Sequence, residues 1–188
     1  MIHFGDYRPT ANCRCQLPTD LCYSVKRLFV MTTAAEIRER MGDEWLPEIY
    51  RSKVRMQRTR AHQLDVPKRE NRAAILHTLL GIELKVGNKR FSCPDLSTAR
   101  YLQIFARIGC REIAIPYDIT KISTVADELE SSWHKSLLLL AEATRDKTAS
   151  AIGRMRSALI REMREEIDEI GAGALMPEFK QTTKQRKT

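Results

Sequence analysis

The segment that most restricts the fold is residues 81–93, GIELKVGNKRFSC. Ile82, Leu84 and Val86 alternate with Glu83 and Lys85, the two-residue period of a strand with one face on a core. Gly87 and Asn88 suit a tight reversal, and KRFSC returns as a second strand. A hairpin of this kind needs a layer against its apolar face, and the next residues supply one. Asp95 or Ser97 can cap a helix whose Ala99, Leu102, Phe105 and Ala106 form one face and Arg100, Gln103 and Arg107 another, until Gly109 ends it. REIAIPYDI follows as a further strand, Ile113 and Ile115 alternating about Ala114. Hairpin, helix and strand together predict an α/β unit whose crossover helix packs on a small mixed sheet.

Helical patterns flank this unit. From Thr33 to about Gln63 the apolar spacing is helical, with a capping box at Thr33 and Glu36 and interruptions near Gly42 and at Pro47, so two helices are expected. VPKREN turns the chain, and the short apolar run RAAILHTLLG is read as a helix ended by Gly81, with a buried strand as its alternative. From about residue 122, Ala126, Leu129, Trp133, Leu137 and Leu140 recur at three- and four-residue steps. Ile152, Met155, Leu159, Met163, Ile167 and Ile170 do the same. Two long helices follow, or one broken near residues 145–148.

The expected fold is therefore a single α/β (α+β) domain over residues 31–175, with N-terminal helices before the sheet and long C-terminal helices after it. A chain of 188 residues, 43% of them hydrophobic, suffices for one core and is short for two. Residues 1–30 hold Pro9, Pro18, Cys13, Cys15 and Cys22 without a sustained period and are read as a poorly ordered extension, with Met31 as an alternative initiator. Those three cysteines and His3 are zinc-competent residue types, but their spacing is not a pair of pairs. Residues 176–188 form a basic tail without a packing pattern. No run approaches the ~18 apolar residues of a membrane span, and the N-terminus lacks the pattern of a secretory signal. An odd count of five cysteines fits a reducing compartment, so the expected location is cytoplasmic.

The charge balance points to a polyanionic partner: Lys and Arg exceed Asp and Glu by 32 to 24. Arg51, Lys53, Arg55, Arg58, Arg60, Lys68, Arg69 and Arg72 stand against Asp65 and Glu70 alone. On a helix Arg51, Arg55 and Arg58 share a side, a phosphate-tracking face for nucleic acid; Lys89 and Arg90 in the hairpin add to it. A solvated helix surface is the competing reading. Cys93 and Cys110 are read as small buried residues, and His62, His77 and His134 as structural.

Strand alternation also places Glu83 and Lys85 on one face, able to meet a single phosphate. In this E-x-K strand, followed by a hairpin return, a helix and another strand, residues 70–119 resemble the core of the PD-(D/E)XK, or restriction-endonuclease-like, nuclease superfamily. The resemblance implies Glu83 as a Mg²⁺ ligand and Lys85 as the catalytic amine at a scissile phosphate. It implies Glu70 as the second acidic ligand, provided RAAILHTLLG is a strand beside Glu83, and Arg100 and Gln103 as holders of the nucleic-acid backbone. The Pro-Asp pair of CPDL follows the E-x-K element instead of preceding it. The functional expectation is a nucleic-acid-binding protein acting as a Mg²⁺-dependent phosphodiesterase. Its alternative is a non-catalytic regulator or adaptor, in which the apolar stripes of the C-terminal helices pair with a second copy or another protein.

Overall fold

The structure, a computed structural model, describes residues 34–173. The expectations for residues 1–30, the Thr33 cap and the tail from 176 lie outside the described residues. Residues 34–41 form helix α1. A 3-10 turn at Gly42–Glu44 leads to α2 (Leu46–Ile49), which runs on as a π-helical turn, Tyr50–Val54. Then come β1 (Thr59–Gln63), β2 (Ala73–Thr78), β3 (Gly81–Val86) and β4 (Lys89–Cys93), followed by α3 (Leu96–Ile108), β5 (Glu112–Pro116), α4 (Ile119–Ala143) and α5 (Ala149–Ile170). The α/β class and the flanking helices are as the sequence predicts.

Local chemistry accounts for the helix ends. The Asp95 carboxylate accepts the Thr98 N–H at 2.7 Å to open α3, and Gly109, at φ +85°, closes it. Asp118 caps α4 through the Thr120 N–H, and Thr148 caps α5 through the Ala151 N–H. The break between the two long helices falls at residues 144–148, where the sequence places it.

The strands divide between two antiparallel sheets, one of three strands in the order β2-β3-β4 and one of two, β1 with β5. Three expectations change. RAAILHTLLG is a strand and not a helix: Ala73 to Thr78 pair antiparallel with Val86 to Gly81, and Leu79 and Leu80 form the turn. The second N-terminal helix ends at Val54, and residues 59–63 are β1, because β5 offers them a ladder from Thr59↔Pro116 to Gln63↔Glu112. The crossover helix α3 joins β4 to a strand of the other sheet, so there are two antiparallel sheets in place of one mixed sheet.

β5 lies at the centre, with Ile113, Ala114 and Ile115 all buried. On the side away from β1, two tyrosines take the place of a third strand. The Tyr50 hydroxyl accepts the Ala114 N–H at 2.8 Å and donates to the Gly171 carbonyl at 3.1 Å; the Tyr101 hydroxyl donates to the Ala114 carbonyl at 2.6 Å. Both backbone groups of Ala114 are thus satisfied inside the core. Burial pushes both phenols upward, Tyr50 to about 12, partly offset there by the hydrogen bond with Ala114.

Helix α3 is buried on nearly every side, through Tyr101, Leu102, Ile104, Phe105, Ala106 and Ile108. The inner face of the three-stranded sheet packs on it through Leu84, Val86 and Cys93. The stripes of α4 (Ile122, Val125, Ala126, Leu129, Trp133, Leu140) and α5 (Met155, Leu159, Ile160, Met163, Ile167) are buried in the same core. The apolar faces that suggested helix pairing between chains are used within this one.

Candidate nucleic-acid interface

Pleating sends Leu84 and Val86 inward and Glu83 and Lys85 to the outer face of the three-stranded sheet. The sequence reading of a shared face is correct. Their surroundings differ from a metal site. Glu83 is held at 3.3 Å by Arg90 of β4, while Lys85 is exposed with no carboxylate partner among the described residues.

Glu70 meets the strand condition, since β2 does pair with β3, but it precedes that strand and turns to α5. There Arg156 grips both carboxylate oxygens in a fork of 2.5 to 3.0 Å. The other upstream acid, Asp65, is ion-paired with Lys89 at the β3–β4 turn, whose ammonium holds its carboxyl below the usual range. Each acid already has a cation of its own on a different element. Among the described residues, no group of three or more His, Cys, Asp or Glu side chains is placed to hold a metal ion. The residues present therefore do not fit the Mg²⁺ site that the resemblance implies.

The basic helix face is also dismantled. Arg51 pairs with Glu48 one turn away at 2.5 Å, and Arg55 is half-buried, donating to Thr59 Oγ1 at 3.0 Å. Arg58 lies beyond the helix, on the approach to β1. Arg100 ties α3 to α4 through Asp127 at 2.7 Å and Glu130 at 2.5 Å. The buried Gln103 donates to the Ala73 carbonyl at 3.0 Å and so clamps β2 to α3. Arg100 and Gln103 are ties between elements and not open phosphate contacts.

A different basic site is assembled where residues 67–72 cross the C-terminal end of α3. Asn71 is the clasp. Its backbone N–H donates to the Arg107 carbonyl at 2.9 Å, and its amide nitrogen reaches the Ala106, Arg69 and Pro67 carbonyls at 2.8 to 3.0 Å. Gly109 allows the crossing, because a β-carbon there would overlap the backbone of Arg69 and Pro67. The clasp gathers Arg69, Arg72 and Arg107 around one helix end, and none has a carboxylate partner among the described residues. Nearby bases are engaged: Lys68 with Asp168 at 3.5 Å, Arg111 with the Val66 carbonyl at 3.4 Å and Arg164 with the Ile108 carbonyl at 3.3 Å. A helix C-terminus carries partial negative charge, which steadies such a concentration of cations.

Arg72 immediately precedes β2, and Ala74 lies opposite Lys85, so the cluster continues onto the outer sheet face at Lys85, beside the Arg90–Glu83 pair. Sequence reading had counted Arg69 and Arg72 in the basic stretch but not Arg107 with them. An Asn within a charged stretch, and a glycine closing the next helix, were the local signals of a clasp. Their spatial meaning depended on a contact 35 residues apart.

Cys93 and Cys110 are buried thiols whose pKa values burial pushes up, which fits packing and not nucleophilic chemistry. Among the described residues, no helix is long and apolar enough to cross a membrane. Fold and site together define a class only: a mixed α/β protein with an electropositive end. No protein-family model, no curated protein and no solved structure matches the chain.

Proposed function

We propose that this protein binds nucleic acid through its phosphates, using Arg69, Arg72 and Arg107 at the end of α3 and Lys85 on the adjoining sheet face. The supporting observation is the clasp: Asn71 ties the segment that carries Arg69 and Arg72 to the end of α3 that carries Arg107, and none of the three has a carboxylate partner among the described residues. Guanidinium binds phosphate oxygens in a planar fork, and each phosphate neutralised releases counterions. The acids next to the cluster, Glu70 and Asp168, are paired with Arg156 and Lys68. The proposal is one of binding and not of cleavage, because Glu70 and Glu83 are each held by an arginine on a different element. A cytoplasmic setting goes with it, given two buried unpaired thiols, Cys93 and Cys110.

The test is a titration of the full chain against labelled duplex DNA, single-stranded DNA and structured RNA over a salt series, with Mg²⁺ and with chelator. Salt-sensitive binding is expected. Changing Arg69, Arg72 and Arg107 together to Ala should reduce the log–log salt slope by roughly two to three. Unchanged affinity and slope would overturn the assignment. Cleavage that requires Mg²⁺ and is lost in Lys85→Ala would extend it to catalysis.

A further inference from the structure

We infer that the far end of the two-stranded sheet carries a base-stacking subsite, formed by Tyr117 beside Arg58, which directs the protein to single-stranded nucleic acid. The inference rests on the nucleic-acid reading and adds the substrate class. The Tyr117 N–H donates to the Arg58 carbonyl at 3.1 Å, continuing the β1–β5 ladder one step past Thr59↔Pro116 and making the two residues cross-strand neighbours.

Tyr117 is 52% exposed, whereas the other aromatic side chains among the described residues are buried or partly buried. Burying a ring is worth a good deal to a fold, so one left open at a strand end is available to a ligand. Met56, 82% exposed, and Ile119, 62% exposed, sit at the same end and extend the apolar surface.

Tyrosine, methionine and arginine also suit a protein partner. Charge decides between the two. Arg58 and, two residues along β1, Arg60 are exposed and have no carboxylate partner among the described residues. The neighbouring acid along the chain, Asp118, accepts from the N–H and hydroxyl of Thr120 and lies 3.9 Å from Lys121. An aromatic face beside two unneutralised guanidinium groups matches a base with its flanking phosphates. Only an unstacked base can use such a face, which a duplex does not offer. β1 runs from this end toward the clasp, about 17 Å for five residues. One strand several nucleotides long laid along it would meet Arg58, Arg60 and then Arg69.

The experiment measures fluorescence anisotropy of the full chain with a labelled single strand and with the duplex of the same sequence. Tyr117→Ala should weaken single-strand binding roughly five- to hundredfold and leave duplex binding and its salt slope unchanged. Tyr117→Phe should retain the single-strand affinity. Wild-type affinity for the single strand in Tyr117→Ala would overturn the subsite, as would an equal loss on both ligands. If the clasp variant still loses affinity in that case, the phosphate-binding proposal stands without the subsite. If the clasp variant is also unaffected, both fall.

Discussion

β5 of the two-stranded sheet is buried along Ile113, Ala114 and Ile115, whereas the three-stranded sheet is longer, alternates more regularly and keeps one face open. Ile75, Ile82 and Phe91 on its packed side are themselves only partly buried against α3. Within the smaller sheet β5 is held from both sides, by β1 and by the hydroxyls of Tyr50 and Tyr101. A clean period of two thus marks a sheet at the surface, where one face must stay polar. The strand at the centre shows continuous apolar character instead. Division of labour follows: the inner sheet organises the core, and the outer sheet can present Lys85 and Arg90 without loss of packing.

The widest gap between the two sheets should appear on truncating one isoleucine in each. Ile113→Ala leaves a void among fully buried neighbours and should cost about 2–5 kcal/mol in urea unfolding. Ile82→Ala, at a partly buried position, should cost only about 1 kcal/mol. Equal losses would mean that the outer sheet is as much a part of the core as the inner one.

A smaller effect is expected from Tyr50→Phe. The ring stays, but the Ala114 N–H and the Gly171 carbonyl both lose their partner, an expected cost of about 1–3 kcal/mol. Hydrogen exchange sharpens the point. In this variant the Ala114 amide should lose protection, while the amides of β2 and β3 keep the wild-type pattern. Uniform loss across both sheets would remove the distinction.

The smallest effect concerns His62 on β1. Burial, then the charge of Arg60, holds its imidazole below the ordinary 6.5. As pH falls through 6.5 the unfolded chain takes up this proton first, so stability should decline until the folded-state value is passed. His62→Gln should flatten that part of the stability–pH curve. A curve of unchanged slope would show that other groups set the acid limb.

Much of the fold was legible because its signals are local. The hairpin of β3 and β4, the caps of α3 at Asp95 and Gly109, and the break between α4 and α5 each depend on residues a few positions apart. β1 was misread because TRAHQ has no apolar alternation of its own, so only the ladder with β5 makes it a strand. β2 was misread because a short apolar run suits either period. At the candidate site, the basic stretch was visible as composition, yet which bases remain open was not.

The sequence by itself determined the two ends of α3, the break between α4 and α5 and the alternation of β3, since these follow from backbone bonds and side-chain periods spanning two to four residues, and composition alone gave the excess of positive charge. Only the tertiary structure decided which charges are neutralised and which remain open. Glu70 meets Arg156 across 86 residues and Trp45 meets Glu166 across 121. Coulomb and hydrogen-bond energies depend on distance in space, and for residues so far apart along the chain that distance exists only once the core has closed.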